Sequence, residues 1–358
     1  MLVSDAHGGF GGIAQYNRDV IEALAADPTI DRIVVVPRSI EGANFTVPPK
    51  VRYDRLVAGG IAAFIFRSWV QALFGGRFDL VFCGHVNLAP VAAAICWFMR
   101  KPLVVSVHGT DVWTRPTSRL VRRSMKAAAL ILPVSKFTEE RMRGWLAGPQ
   151  PPSIVIPNAV RLEPFGIGAK NPELVARYGL AGKRAIMTLG RMAANERAKG
   201  FDEIIELMPR LRERCPDLVY ICGGDGDDRP RLEAKALASG CADSVVFTGR
   251  IAEESKADHF RLADAYIHAS RFEGFGIVLI EALACGIPVV GSTADASQEA
   301  LLFGELGPAV DPADPDALCE AILAAIAQPR QVPGRLTHHT HEQLRGRLTK
   351  ALTQVMTS

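Results

Sequence analysis

The sequence predicts an α/β protein made of two doubly wound domains, and three observations lead there. The chain has 358 residues, a length that favours two domains over one. Apolar, β-branched runs alternate with segments of helical period, the pattern of parallel sheets wrapped by helices. That alternation stops at a Pro/Gly-rich stretch and then begins again.

Only residues 1–4 precede the loop Gly8-Gly9-Phe10-Gly11-Gly12, so the first strand is nearly absent. It reads as a truncated start or as a ragged sheet edge. Residues 13–24 carry helical spacing, and 33–36 form a buried-strand run. Further strands are predicted at 80–82, 103–107 and 131–134, with helices over 88–99 and 137–146 between them. Residues 153–156 look like a last strand of the first domain, which puts the linker between Pro157 and Gly168. The series resumes at 184–189, 218–222, 245–248, 265–268 and 288–291. The first domain is therefore expected over residues 1–165 and the second over 170–330. A terminal helix at 342–356, in the tail 334–358, is expected to pack back on the first.

Hydrophobic residues make up 48% of the chain and charged ones 22%, a globular composition that rules out disorder. The balance of 41 basic and 38 acidic residues conceals an asymmetry. Residues 1–165 carry 19 basic against 12 acidic side chains, a net of +7, and the remainder carries 22 against 26, a net of −4. The halves are expected to meet different ligands. Seven cysteines without a CxxC pair give no zinc pattern and fit reduced thiols of a cytoplasmic protein. No signal peptide is read at the start, and the longest apolar run, 91–99, falls far short of the roughly 20 residues of a membrane span.

Two basic features stand out in the first half. Arg115, Arg119, Arg122, Arg123 and Lys126 are expected on one helix, and Phe64, Phe66, Trp69 and Phe74 are interspersed with Arg67 and Arg77. Such faces suit anionic lipid head groups at the inner face of the plasma membrane, and equally an exposed basic helix beside an ordinary core helix. No nucleic-acid recognition motif accompanies the charge. His338, His339 and His341 read as a solvated helix start rather than a metal site. Asp225-Gly226-Asp227-Asp228 reads as a solvated acidic loop.

The chemistry concentrates at Arg271-Phe272-Glu273-Gly274-Phe275-Gly276, where a strand ends at His268 and a helix begins near Gly276. Amides at such a helix start form an anion site, and glycines let a phosphate come close. Seven residues separate Glu273 from Glu281. Carboxylates beside an anion site repel phosphate, so they are expected to accept from sugar hydroxyls, one on the transferred sugar and one on a ribose. Arg191, after the first strand of the second domain, and Lys199 would neutralise a leaving diphosphate.

Gly190-Arg191 with Lys199-Gly200, Glu273-Gly274-Phe275-Gly276 with Glu281-Ala282, and Gly286-Ile287-Pro288-Val289-Val290 together resemble the retaining glycosyltransferases of family 4. Gly11-Gly12-Ile13-Ala14, Val107-His108-Gly109-Thr110-Asp111, Val134-Ser135-Lys136-Phe137-Thr138 and Ile156-Pro157-Asn158-Ala159-Val160 extend the resemblance into the first half. It implies a GT-B fold, two Rossmann-like domains facing each other across a cleft, with donor on the second and acceptor on the first. It also implies that Arg191 and Lys199 hold the diphosphate and that Glu281 takes the ribose hydroxyls. Glu273 and the amides of Gly274, Phe275 and Gly276 would hold the hexose, and the base would lie near Arg250 and Ile251. Gly11 and Gly12 would approach the phosphates. His108 would contact the hexose and align the acceptor, while Asp111 is either an acceptor contact or a helix N-cap. The spacer before Lys199 is longer than the family's common pattern, which leaves Arg197 as an alternative anchor.

The expected activity is transfer of a hexose from a UDP- or GDP-linked donor to a glycan or lipid-linked acceptor in envelope or exopolysaccharide synthesis, with retention and without a metal or other cofactor. The alternatives are a nucleotide-sugar 2-epimerase of the same architecture and a nucleotide-sugar binding protein without turnover.

Overall fold

The computed structural model describes every residue except 10, 41, 43, 44, 57–59, 147 and 358, so Phe10 of the glycine loop lies outside the described residues. The chain divides into two compact units, one of Met1–Ala159 with His339–Ser358 and one of Val160–His338.

The first unit is a six-stranded parallel sheet of β1 (Leu2–Val3), β2 (Ile33–Pro37), β3 (Val51–Tyr53), β4 (Val81–Cys83), β5 (Leu103–Val107) and β6 (Leu130–Pro133), in the order β3-β2-β1-β4-β5-β6. Its helices are α1 (Gly12–Ala25), α2 (Gly60–Phe74), α3 (Ala89–Met99), α4 (Thr110–Trp113), α5 (Arg119–Lys126) and α6 (Lys136–Trp145). The short first strand is not a ragged edge, because it lies at the centre of the sheet. Leu2 pairs with Val36 on one side and Cys83 on the other, and Gly84 N donates to Leu2 O at 2.7 Å. A two-residue strand suffices there because neighbours on both sides complete its ladder.

Two local expectations are corrected. Residues 153–156 run beside β6 with a single bridge, Ser153 to Ile131; Ile154 N and Ile156 N donate to Ile131 O and Pro133 O, but Pro133 of β6 has no N–H to return the bond between them. Arg115 lies outside the basic helix. The Ser118 hydroxyl accepts from Val121 N at 3.4 Å, so α5 begins only at Arg119.

The second unit repeats the plan with β7 (Arg184–Leu189), β8 (Leu218–Gly223), β9 (Val245–Gly249), β10 (Ala265–Ile267), β11 (Val289–Ser292) and β12 (Ala309–Val310), ordered β12-β11-β10-β7-β8-β9. Its helices are α7 (Pro172–Arg177), α8 (Phe201–Arg214), α9 (Arg229–Ala238), α10 (Lys256–Leu262), α11 (Ile277–Ala284), α12 (Ser297–Ala300) and α13 (Pro315–Ile326). Every residue of β8 is buried, as a parallel strand covered on both faces requires. Ile204, Ile205, Met208 and Leu211 of α8 pack into the same core. Truncating one such side chain to alanine costs about 2–5 kcal/mol.

The last helix, α14 (His341–Thr357), packs on α1 of the first unit. His341 Nε2 lies 3.1 Å from Asp19 Oδ1, and the Thr349 hydroxyl bonds to Asp27. The histidine-rich start of this segment is not a solvated helix end, since His339 is buried in the turn before α14. Among the described residues no three metal-ligating side chains come together, and no helix is long and apolar enough to cross a membrane.

In both all-parallel sheets the strand order reverses at one place, between β1 and β4 in the first unit and between β7 and β10 in the second. Loops leaving neighbouring strands part at such a point and open a crevice at the strands' carboxyl ends. The predicted site residues follow these strands or their neighbours, except Arg250 and Ile251, which follow β9 one strand further out.

Candidate active site

In the second unit, Gly190 and Arg191 follow β7, and the loop from His268 to Gly276 follows β10. Gly200 brings the two together. It caps α8 with φ +89, and a Cβ there would sit 2.7 Å from the Ala269 carbonyl group. Only glycine fits both the conformation and the approach. As a result Lys199 reaches across to the β10 loop, where Nζ donates to Phe272 O at 3.0 Å and to Glu273 Oε2 at 3.0 Å.

Glu273 is 24% exposed and Lys199 17%. Burial works against ionisation of Glu273, but the Lys199 ammonium and the His268 ring outweigh it and hold the carboxyl well below the usual carboxylate range. Burial likewise opposes the charge on Lys199, and Glu273 more than compensates, so the ammonium titrates above its ordinary range. An ammonium has three donors, and two are used here. On the carboxylate, Oε2 takes the Lys199 contact, and none of the described residues donates to Oε1.

Gly276 adopts φ +94 and ends the loop, and α11 starts behind it with no acidic residue in its first turn. Within the first turn nothing acidic offsets the positive end of the helix dipole, and the Glu273 carboxylate just before it is paired with Lys199. Phe275 is buried, which anchors the turn from below. Glu281 is fully buried inside α11 and meets Lys256 Nζ at 2.9 Å. Lys256, at the start of α10, also pairs with Glu253 at 2.9 Å. Burial opposes the Lys256 charge, but the two carboxylates raise its pKa above the ordinary value.

The remaining predicted cations are spent differently. Arg191 is 69% exposed and pairs with Glu196 at 2.5 Å, so the structure does not present it as an unpaired cation. Arg197 turns to Asp228 at 3.1 Å, away from the Lys199–Glu273 pair. Asp228 is 4% exposed and also holds Arg231 at 2.7 Å, so the acidic turn is not simply a solvated loop. Arg250 and Ile251 follow β9, and Ile251 Cδ1 would lie 3.1 Å from a Cβ at Gly223, which places it at the end of β8.

In the first unit, His108 leaves β5, and its Nε2 lies 2.8 Å from Gly84 O, at the end of β4. A carbonyl oxygen only accepts, so a neutral His108 carries its proton on Nε2 and leaves Nδ1 as an acceptor. The ring packs edge-on against Tyr16 of α1 at 5.0 Å. Asp111 bonds to the amides of His108 at 3.0 Å and Gly109 at 2.8 Å. It therefore fixes the turn that carries the histidine, while the N-cap of α4 is Gly109. Gly11 caps α1, and a Cβ at Gly11 or Gly12 would meet nothing within 4 Å.

Sequence reasoning missed three residues at the second-unit site. His268 and Asp295 are buried polar side chains around Glu273, and Lys256 neutralises Glu281. A histidine closing an apolar strand was the only local signal, and it pointed to the strand's end rather than to a role.

Fold and site together define the class: a GT-B protein, two doubly wound units with a charged, glycine-rich loop at the second unit's switch point. Family comparison agrees. The model described as Glycosyltransferase Family 4 matches residues 10–164, and that described as Glycosyl transferases group 1 matches residues 183–328. The chain belongs to the family 4 glycosyltransferases.

Among characterised relatives it is 33% identical, over 64% of this chain and 62% of the other, to a GDP-mannose-dependent alpha-(1-6)-phosphatidylinositol monomannoside mannosyltransferase of Mycolicibacterium smegmatis. The chain spans less than two thirds of the length of the curated relatives it matches. Two solved structures share the fold: sucrose-phosphate synthase from Thermosynechococcus elongatus and Anabaena HepE in complex with UDP-glucose. The first has a TM-score of 0.76 and 22% identity, covering 99% of this chain and 96% of that one. The second has a TM-score of 0.75 and 19% identity, covering 99% of each.

Proposed function

We propose that the protein is a retaining, metal-independent glycosyltransferase that moves a hexose from a nucleoside-diphosphate sugar to a glycan or lipid-linked acceptor. The Lys199–Glu273 pair at the start of α11 carries this reading. It sets a cation with an unused donor beside a carboxylate with an unused acceptor, at a helix start with no acidic residue in its first turn. A diphosphate fits the first and the helix, and a sugar hydroxyl fits the second.

In this reading Glu273 Oε1 accepts from the hexose, and the amides of Gly274, Phe275 and Gly276 face the sugar and phosphate. Lys199 uses its third N–H on the diphosphate, Arg191 leaves Glu196 to join it, and Glu281 takes the ribose. The base lies along Arg250 and Ile251, and the loop of Gly11 and Gly12 approaches the phosphates. His108, oriented by Asp111, serves the hexose and acceptor. The bond from C1 to the diphosphate oxygen breaks as the acceptor oxygen bonds C1 on the same face. The acceptor's proton passes to the departing phosphate oxygen. Cationic neutralisation of that leaving group is the main stabilising contribution, and it is the part a metal would otherwise play.

The first donor to test is GDP-mannose, for which the 33%-identical relative is named. A lipid-linked acceptor suits the surface of the first unit. Phe66 and Phe74 of α2 are 66% and 80% exposed, and Trp97 and Phe98 of the neighbouring α3 are 83% and 59% exposed. Arg77, Arg100, Arg119, Arg123 and Lys126 are exposed on and beside these helices and α5. Exposed aromatics among basic groups favour an anionic bilayer surface, in keeping with work at the cytoplasmic face of a membrane.

The test is a screen of GDP- and UDP-hexoses for nucleotide release and sugar transfer, with and without EDTA. Selective, EDTA-resistant turnover is expected. Glu273→Ala should then cut transfer by about 100-fold or more while binding of the bare nucleotide changes little. Epimerisation of the donor without nucleotide release would overturn the transferase reading.

A further inference from the structure

His268 stands at the end of β10 with 2% exposure, and neither ring nitrogen has a hydrogen-bond partner among the described residues. Burying an imidazole with both nitrogens unmet is unfavourable, and native structures keep such groups where something uses them. Its Nε2 lies 3.6 Å from Glu273 Oε2, the same oxygen that Lys199 contacts. The ring is held in place by stacking on Tyr266 at 6.3 Å and 16°, and His268 N donates to Val290 O of β11 at 2.8 Å.

A second buried polar residue follows β11. Asp295 has no exposure; its Oδ1 accepts from Ser297 N at 3.0 Å, and its Oδ2 has no partner among the described residues. The next residue ties this loop to the site, since Ala296 N donates to Glu273 O at 3.2 Å. Burial pushes the Asp295 carboxyl up, and the His268 ring works against that push. The β10 and β11 loops are thus linked through the backbone of Glu273.

We propose that His268 is a positioning residue that fixes the Glu273 carboxylate so that Oε1 is aimed at one hydroxyl of the transferred sugar. Lys199 alone is a point charge at the end of a flexible stem, about which a carboxylate can turn. A second contact on the same oxygen, from a ring locked by stacking, removes that rotation. Donors that differ at one hydroxyl are then told apart by the direction of Oε1, because a site built to bond a hydroxyl rejects the analogue that misplaces it. The inference rests on the donor-sugar reading of Glu273.

The test compares His268→Phe, His268→Gln and His268→Asn in the full chain. Readouts are transfer from the preferred donor and its single-hydroxyl epimer, bare-nucleotide affinity and thermal unfolding. Gln places its amide nitrogen near the Nε2 position, and Asn near Nδ1. His268→Gln is expected to keep transfer within about threefold, and His268→Phe to lose about tenfold or more with bare-nucleotide affinity unchanged. The preference between the two donors should shrink in His268→Phe. Parental rate and preference in His268→Phe would overturn the proposal, as would equal losses in Phe and Gln. Should His268→Phe fail to fold, Gln must still exceed Asn by about threefold, and equality overturns it. Glu273→Ala is measured in parallel. An unimpaired Glu273→Ala removes the donor-sugar reading itself, whereas an impaired Glu273→Ala beside an unimpaired His268→Phe removes only the positioning role.

Discussion

Glu281, wholly buried in α11, meets its countercharge in Lys256 at 2.9 Å, an ion pair formed across 25 residues of sequence between two neighbouring helices. A carboxylate in that position is tolerable only with a partner. Lys256→Met should therefore destabilise the protein by about 3–5 kcal/mol, because it removes the ammonium that faces a buried carboxylate. Adding Glu281→Gln should restore much of the loss. Urea unfolding of the single and double variants measures both, and simple additivity would show that the residues are not coupled.

Lys199 and Arg197 make separable predictions because they face different carboxylates. Lys199→Ala should weaken nucleoside-diphosphate binding by about tenfold while leaving the monophosphate nearly unaffected. Arg197→Ala should change neither by more than about twofold, since its charge is exposed and paired to Asp228. Calorimetric titration with mono- and diphosphates decides. A diphosphate-specific loss in Arg197→Ala alone would transfer the anchor role to that residue.

The depressed pKa of Glu273 fixes the sign of an acid-stability effect. A carboxyl whose folded pKa lies below its unfolded value of about 4.3 contributes stability that is complete above that value and fades as pH falls below it. Wild type should thus exceed Glu273→Gln in stability at pH 7, with the difference shrinking steadily below about pH 4. Denaturant curves between pH 7 and pH 3 provide the comparison. A gap that widened on acidification would mean that the Lys199 and His268 contacts do not favour the ionised form.

The aromatic and basic surface of α2 and α3 predicts a measurable vesicle affinity. Trp97→Ser with Phe98→Ser should cut binding to anionic vesicles several-fold and leave thermal stability near wild type, because both side chains are already largely exposed. Sedimentation with phosphatidylglycerol-containing and purely zwitterionic vesicles tests it. Equal binding of the double variant and wild type would remove this surface from any membrane role.

The strands that the sequence defines most sharply are those buried on both faces. Runs 103–107 and 184–189 coincide with β5 and β7 because nearly every side chain there is apolar. The central place of β1 was not visible, since two residues carry no period and their role comes from β2 and β4 alongside. β3 and β12 escaped notice for the same reason. At the site, the glycine-rich loop and its glutamates were legible because they form one contiguous signature. The partners were not: Lys199 finds Glu273 across 74 residues, and nothing near Lys256 marks it as the neighbour of Glu281. Local sequence shows which groups need a countercharge, and only the tertiary arrangement supplies it.

The return of α14 to the first unit has a consequence for how the chain is made. During translation α1 is made well before the helix that covers it. The second unit lies between them as one continuous stretch, so it can complete its fold first. At about 5–20 residues per second, the nascent first unit waits roughly 10–35 s with that flank of α1 bare.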